Sequence, residues 1–243
     1  MRAKLAKDMV NKLWQFLFPA GCLLCAASSS ESKNDYLCDG CLADLQGNQH
    51  ACSLCALPII ESQSTLMCAD CLKSPPVFDR CLSAFVYAQP LEWMIQQLKF
   101  NEKLSYAPLL SSLMMHYLQG QALGQLQADV IIPMPLHPTR LKERGFNQSL
   151  LLLESVALEM DMPIDSISCQ RIRDTAHQTG KTAQQRRKNI KGAFKFDNKK
   201  GYKHVVIFDD VITTGSSVSE LSKVLKRSGV ERVDVWSLAR AGK

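Results

Sequence analysis

Two adjacent carboxylates, Asp209 and Asp210, follow four apolar residues at 205–208 (Val-Val-Ile-Phe) and precede a hydroxyl-rich loop around Gly215. The apolar run predicts a strand, and the residues after Gly215 have the spacing of a helix. The acids would then lie beside backbone N–H groups at a helix N-terminus, where an anion binds readily. A ligand with sugar hydroxyls at one end and a phosphate at the other satisfies both features, so these residues indicate a phosphorylated ribose.

The segment 205–217 resembles the signature of type I phosphoribosyltransferases, which bind 5-phosphoribosyl-1-pyrophosphate (PRPP). This resemblance implies that Asp209 and Asp210 hydrogen-bond the 2- and 3-hydroxyls of the ribose. Two alternatives are a turn that only caps a helix and the Walker B strand of an ATPase. We favour PRPP because the two acids and the Thr-Thr-Gly loop occur together. The resemblance assigns the 5-phosphate to Thr213, Thr214, Gly215, Ser216 and Ser217.

The ATPase alternative requires a P-loop, for which the only candidate is Gly-Lys-Thr at residues 180–182. A P-loop needs a glycine five residues before Gly180, and this chain has Thr175 at that place. The sequence therefore argues against an ATPase.

Eight of the ten cysteines form four Cys-x-x-Cys pairs, and the last two pairs repeat the first two at an offset of thirty residues. Each pair can present two thiolates to a metal, and two pairs complete a tetrahedral site of four sulfurs that is typical of structural Zn²⁺. The repeat predicts a double zinc ribbon over residues 20–75 with two Zn²⁺ ions. The ligating residues would be Cys22, Cys25, Cys38, Cys41, Cys52, Cys55, Cys68 and Cys71.

Other uses of these cysteines fit the pattern less well. A disulfide framework needs an oxidising compartment, and a thioredoxin-like redox pair would occur once, beside a βαβ unit. We expect sequential ligation, with the first two pairs on one ion and the last two on the other; a cross-braced arrangement is the alternative. Cys81 and Cys169 are predicted to be small core residues.

The formal net charge is +6, and residues 171–191 account for this excess with seven basic residues and one acidic residue. The segment is either a solvated loop or a mobile basic arm that meets phosphates, of the small ligand or of a polynucleotide such as single-stranded DNA. The residues predicted to contact nucleic acid are Arg171, Arg173, Lys181, Arg186, Arg187 and Lys188.

Residues 1–19 combine basic and apolar side chains, and we expect them to form an amphipathic helix. Residues 19–22 faintly resemble a lipoprotein cleavage site, but Asp8, Lys12 and Gln15 interrupt the apolar core that a signal peptide needs. No run of eighteen apolar residues occurs, so no membrane span is expected. We therefore expect a cytoplasmic protein.

From residue 80 to residue 243, segments typical of strands alternate with segments of helical spacing. This alternation predicts a parallel α/β sheet with helices on both faces. Ligands of such sheets bind beyond the carboxyl ends of the strands, where the loops 136–147 and 209–217 both lie. Besides residues 205–208, strands are expected over 81–88, 129–135, 164–170, 192–196 and 233–238, and helices over 91–100, 108–118, 149–160 (with Ser149 as N-cap) and 218–227.

From Cys22 to Arg240 the chain resembles the competence protein ComF family, also called the ComF/GntX family. The matching features are the Cys-x-x-Cys repeats, residues 133–136 and 144–148, Arg140, residues 171–194 and the segment 205–217. The resemblance implies a zinc-binding module joined to a type I phosphoribosyltransferase-like domain. It also implies a role in natural transformation, with single-stranded DNA and competence helicase or uptake proteins as partners.

If the domain transfers a phosphoribosyl group, departure of pyrophosphate leaves an oxocarbenium-like ribose carbon. Mg²⁺ would accompany the pyrophosphate of PRPP, and Arg140 and Arg144 in the loop 136–147 would stabilise the leaving anion. Asp209, Asp210 and Arg144 are thus the candidate catalytic residues. The sequence offers no evident base for a nucleobase acceptor.

Three functions are consistent with these residues. The first, which we favour, is a PRPP-binding protein of DNA uptake. The second is a metabolic phosphoribosyltransferase, a pentosyl-transferring glycosyltransferase, acting on a nucleobase-like acceptor. The third is a non-catalytic adaptor that responds to PRPP.

Overall fold

The computed structural model describes residues 21–27, 36–59, 66–121, 128–175 and 189–242. The helix expected over residues 1–19 lies outside these ranges. The chain divides into two compact units, one ending at Gln46 and the other beginning at Gly47. The first four ligating cysteines belong to the first unit, and the other four belong to the second, together with every strand of the described residues.

The secondary structure of the described residues follows the expected alternation, and no helix among them has the length and apolarity that crossing a bilayer requires. The helices are α1 (Asp39–Ala43), α2 (Ala69–Lys73), α3 (Leu91–Asn101), α4 (Tyr106–Gln119), α5 (Pro138–Arg144), α6 (Gln148–Glu159) and α7 (Ser216–Arg227). The strands are β1 (Arg80–Val86), β2 (Val130–Pro133), β3 (Cys169–Arg171), β4 (Phe194–Phe196), β5 (His204–Ile212) and β6 (Arg232–Arg240).

The two ribbons repeat in structure as they do in sequence. The N–H of Cys22 donates to the carbonyl of Ala27 at 2.7 Å, and thirty residues later the N–H of Cys52 donates to the carbonyl of Leu57 at 2.9 Å. Helix α1 begins directly after Cys38, as α2 begins directly after Cys68. The same turn therefore presents the first cysteine pair of each ribbon, and the same short helix presents the second.

The central sheet has four parallel strands in the order β1-β6-β5-β2. Residues 205–208 of β5 are fully buried. A strand covered on both faces reads as an unbroken apolar run, which is the pattern that predicted it. The predicted parallel α/β sheet, preceded by a double zinc-ribbon module, is confirmed.

Helices cover both faces of this sheet. Side chains of β5 alternate between the faces, and Val205 and Ile207 share an apolar cluster with Val218 of α7. On the other face, α4 packs on β1 and β6, α6 packs on β5 and β2, and the two helices pack on each other. The Ser111 hydroxyl of α4 donates to the carbonyl of Leu152 in α6 at 2.9 Å.

Strands β3 and β4 do not join the parallel sheet, in contrast to the prediction. They pair with each other in antiparallel fashion, and Phe194 and Phe196 pack in the cluster that contains α7. The strand expected over 164–170 is shortened because Asp165 forms a turn, in which its Oδ1 accepts hydrogen bonds from the N–H groups of Ile167 and Ser168 at 3.0 and 2.9 Å.

Two local predictions around α5 and α6 were wrong. Residues 138–144 form a helix where a loop was expected, because Pro138 at its first turn is preorganised for a helix and His137 serves as N-cap. The N-cap of α6 is Asn147, whose Oδ1 accepts from the N–H groups of Ser149 and Leu150 at 3.0 and 3.3 Å. Ser149 therefore does not cap the helix, and its hydroxyl donates to the carboxylate of Asp209 instead.

Candidate functional site

The eight ligating sulfurs form two separate groups, and within each group all of them lie within 4.8 Å of one another. Cys25 and Cys38 place their Sγ atoms 3.6 Å apart, and Cys55 and Cys68 place theirs 3.7 Å apart. Four thiolates at tetrahedral Zn–S distances would be separated by about 3.8 Å. The sulfurs therefore fit one Zn²⁺ per group, in the expected sequential arrangement.

Backbone donors favour the thiolate form at the first cysteine of each ribbon. Burial raises the pKa of Cys52, but N–H groups of Cys68, Cys55 and Leu54 outweigh it and lower that pKa to about 7. The same balance lowers the pKa of Cys22 to about 6. Because the thiolate is the metal-binding form, Cys22 and Cys52 are favoured in the charge state that Zn²⁺ requires, whereas burial raises the pKa of Cys41, Cys55 and Cys71.

The two acids lie at the carboxyl end of β5 and contact different partners. Asp210 is 2% exposed and forms an ion pair with Lys99 of α3, and its Oδ1 accepts from Nε2 of Gln148 at 3.4 Å. Asp209 accepts from the hydroxyl of Ser149 at 3.2 Å through its Oδ1. The first residues of α6 thus bind both acids.

Burial is the main influence on the protonation of Asp209. Burial, and then repulsion by Asp210, raises the pKa of Asp209 to about 8, although Lys99 and the Ser149 hydroxyl oppose the shift. Asp209 therefore binds a proton more readily than an exposed aspartate does, and in its protonated form it can donate a hydrogen bond as well as accept one. Such a pair suits a diol, whose hydroxyls also donate and accept.

Sequence reasoning missed Lys99, Gln148 and Ser149. A signal for Lys99 was present, because it follows the buried residue Ile95 by four positions on the same face of α3. A lysine on a buried helical face needs a partner charge. Nothing local distinguished Gln148 and Ser149, whose partners lie in a distant strand.

The loop after β5 leads directly into the first turn of α7. Gly215 has a φ of 71° and precedes Ser216, the first residue of the helix. The hydroxyls of Thr214 and Ser216 lie 2.8 Å apart, and Thr213 is exposed. The first turn of this twelve-residue helix has no acidic residue, and Gly215 at the N-cap has no capping side chain, although the N–H of Ser216 donates to the hydroxyl of Thr214 at 3.4 Å. Its N–H groups and the loop hydroxyls can bind an anion.

The candidate pyrophosphate residues lie on α5, after the neighbouring strand β2. Arg144 donates to Oε1 of Gln148, and its guanidinium lies 5.6 Å from the ring centroid of Phe100. Arg144, Gln148, Asp210 and Lys99 thus form one continuous polar chain. Arg140 instead pairs with Glu143 at 3.1 Å and is partly exposed.

Only part of the predicted nucleic-acid surface can be located, since Lys181, Arg186, Arg187 and Lys188 lie outside the described residues. The guanidinium of Arg171 lies 5.8 Å from the ring centroid of Phe194. Arg173 is exposed and donates to the carbonyl of Lys191. A contact of these residues with DNA stays a prediction.

A cavity of about 840 Å³ lies between α5 and β3. Apolar side chains of Leu141, Phe146 and Ile172 line it, together with His137 and Arg171. Nδ1 of His137 is 3.9 Å from a carboxylate oxygen of Asp174, a residue that does not line this cavity.

Comparison with known proteins bears on both parts of the chain. Residues 13–72 match the family model described as a double zinc ribbon domain. The chain is 34% identical over 225 residues to "Competence protein F" of Haemophilus influenzae, covering 90% of each protein. It is 40% identical over 171 residues to "DNA utilization protein YhgH" of Escherichia coli O157:H7, covering 70% of this chain and 75% of that protein. "Competence protein ComFC" of Streptococcus pneumoniae is 23% identical over 159 residues, 64% of this chain and 66% of that protein.

Proposed function

Because this chain belongs to the family of competence protein F and the DNA utilization protein YhgH, we propose that it is a PRPP-binding protein with a phosphoribosyltransferase fold that acts in DNA uptake. The observation that carries the proposal is the contact of Asp209 and Asp210 with the N-terminus of α6, beside a hydroxyl-lined helix N-terminus. Both features lie at the carboxyl end of one parallel strand, where ligands of such sheets bind.

The ligand would lie across the ends of β5 and β2. Its ribose hydroxyls would hydrogen-bond the two acids, and the residues Thr213 to Ser217 would hold its 5-phosphate. Arg140 and Arg144 would face its pyrophosphate, which carries Mg²⁺ in solution. Arg144 is already oriented by Gln148, whereas Arg140 would have to leave Glu143. This difference supports Arg144 as the catalytic arginine.

Single-stranded DNA is the proposed macromolecular partner, and the basic arm is the proposed contact. The printed names of the relatives speak of competence and DNA utilization, and seven cations with one acid in residues 171–191 provide the charge that phosphates need. A cytoplasmic location and an association with competence helicase or uptake proteins follow from this role.

Titration calorimetry with PRPP and Mg²⁺ tests the ligand. We expect saturable binding by the unaltered protein and its loss when Asp209→Asn and Asp210→Asn are combined. Asp197→Asn, which changes an acid whose side chain is 51% exposed, is the matched control and should bind normally. Equal binding by the double variant and the control would refute the proposed site.

A metabolic transferase is the second candidate, and the apolar cavity between α5 and β3 favours it. Its volume of about 840 Å³ would accommodate a nucleobase-like acceptor. This function predicts pyrophosphate release from PRPP when a nucleobase is added. In a non-catalytic adaptor, PRPP would bind without release, and the double variant would still bind DNA but no longer respond to PRPP.

A further inference from the structure

Arg240, the last residue of β6, is a buried cation held by carbonyl oxygens. It is 6% exposed, and its guanidinium donates to the carbonyls of Cys55 and Ile212, each at 3.1 Å, of Ala241 at 3.0 Å, and of Thr213. A buried guanidinium with this many partners fixes the positions of all of them, because an unmet donor would be costly.

These acceptors belong to two different parts of the protein. The carbonyl of Cys55 lies in the turn that presents the first cysteine pair of the second zinc centre. The carbonyls of Ile212 and Thr213 lie at the start of the loop proposed to hold the ligand phosphate. One side chain therefore connects a metal-ligating turn directly to the candidate phosphate loop.

Apolar packing joins the same two parts. Ala56, the residue after Cys55, is 3% exposed and shares an apolar cluster with Ile212 and Val218, which flank the phosphate loop. Both parts also lie within one compact unit. The turn at Cys55 and Ala56 thus packs in the same apolar cluster as the residues that flank the loop 213–217.

The position of the Cys55 turn depends on its metal, because short ribbons of this kind take their folding free energy from Zn²⁺. We propose that Arg240 is a positioning residue that couples metal occupancy of the second zinc centre to the geometry of the loop 213–217. On the proposed function, that coupling makes ribose phosphate binding dependent on the second zinc ion. The first centre belongs to the other compact unit, and the coupling is proposed for the second centre alone.

The repeat supplies a matched pair of variants. Cys55→Ser alters the second centre, and Cys25→Ser alters the equivalent ligand of the first centre thirty residues earlier. Arg240→Lys keeps the charge but cannot bridge the four carbonyls, since an ammonium lacks the planar fork of a guanidinium. The full chain is used throughout, with zinc content measured for each protein.

Hydrogen exchange at the amides of residues 213–217 is the first measurement, and it needs no ligand. We expect Cys55→Ser and Arg240→Lys each to speed exchange there about tenfold or more, and Cys25→Ser to leave it unchanged while losing its own zinc. Unchanged exchange in a Cys55→Ser protein that has lost the second zinc would overturn the proposal, as would unchanged exchange in Arg240→Lys.

A double-mutant cycle separates coupling from general destabilisation. If Arg240 transmits the effect of the metal, combining Cys55→Ser with Arg240→Lys should speed exchange little more than either change alone. If the two changes instead multiply each other's effect on the exchange rate, Cys55 and Arg240 act independently on the loop, and the proposed coupling is overturned.

Calorimetry with ribose 5-phosphate then links the coupling to binding. Arg240→Lys and Cys55→Ser should weaken binding about tenfold, as the loss of a hydrogen bond to a charged group does. If the unaltered protein binds no ribose phosphate while the exchange results hold, the proposed ligand is wrong and the coupling stands.

Discussion

Lys99 of α3 and Asp210 of β5 form an ion pair, and their side chains are only 16% and 3% exposed. This pair joins a helix to the strand end that carries the candidate ribose-binding acids. Because Lys99 opposes the charge of Asp210, two adjacent carboxylates can be accommodated at the end of one buried strand. A ligand diol would therefore meet an acid pair that is already oriented.

Removal of Lys99 should destabilise the fold strongly. Lys99→Ala leaves the carboxylate of Asp210 buried without its cation, which typically costs about 3 kcal/mol or more. We expect a loss of that size in the free energy of unfolding measured with urea, and partial recovery when Asp210→Asn is added. The matched control is Lys203→Ala, which removes an exposed partner of Glu231 and should cost less than about 1 kcal/mol. Equal losses in Lys99→Ala and Lys203→Ala would contradict this prediction.

Asp209 should make stability fall as pH rises. Its folded-state pKa is raised from 3.8 to about 8, so the folded protein binds this proton more tightly than the unfolded chain does. Ionisation of Asp209 therefore costs stability progressively between these two pKa values. Asp209→Asn removes the cost, and we expect its stability relative to the unaltered protein to increase from pH 4 to pH 9 in thermal unfolding.

Asp129 provides a control of opposite sign. The N–H groups of His204 and Lys203 donate to its carboxylate and lower its pKa, so its contribution is present above the unfolded pKa and is lost in acid. Asp129→Asn should therefore destabilise the protein at neutral pH and have little effect at the acid end. A parallel response of the two variants to pH would show that Asp209 does not carry the raised pKa.

Features that depend on pattern and spacing could be predicted from the sequence. The zinc centres were predictable because the spacing of the cysteine pairs is typical of four-sulfur sites, and the repeat at Cys22 and Cys52 displays that spacing twice. The structure was needed to decide between sequential and cross-braced ligation. The sheet was predictable because residues 205–208 are buried on both faces and therefore uniformly apolar. The resemblance to the ComF family rested on the same segments, and the relatives confirm it.

Features that depend on distant partners could not be predicted in this way. Asn147 and Ser149 are both good N-cap residues, and the choice between them follows from Asp209, to which the Ser149 hydroxyl donates. Strands β3 and β4 have only three residues each, too few for their pattern to show which sheet they join. The partners of Arg240 are four backbone carbonyls. Because every residue has a backbone carbonyl, the residue types give no signal for these contacts.

Two zinc ions per chain are expected, and their removal should unfold the ribbons. A strong chelator should release about two equivalents of Zn²⁺ and lower the thermal unfolding temperature, since the ribbons depend on metal for their folding free energy. Cys81→Ala and Cys169→Ala are the controls, because burial raises the pKa of both thiols to about 12 and neither belongs to a four-sulfur group. Both should retain two zinc ions. Fewer than two ions in freshly reduced protein, or loss of zinc in either control, would contradict the assignment.

Binding of single-stranded DNA should depend on salt through the basic arm. Neutralising Arg186, Arg187 and Lys188 with glutamine should weaken binding and reduce the slope of log K against log salt by about 2, because each phosphate contact contributes about 0.7 for single strands. The control replaces three cations elsewhere, Lys103, Lys199 and Lys223, and should leave that slope unchanged. Fluorescence anisotropy with a labelled oligonucleotide between low and physiological salt measures both proteins. Equal slopes for the two triple variants would show that the arm does not contact the phosphates, and DNA binding would then have to be sought on another surface.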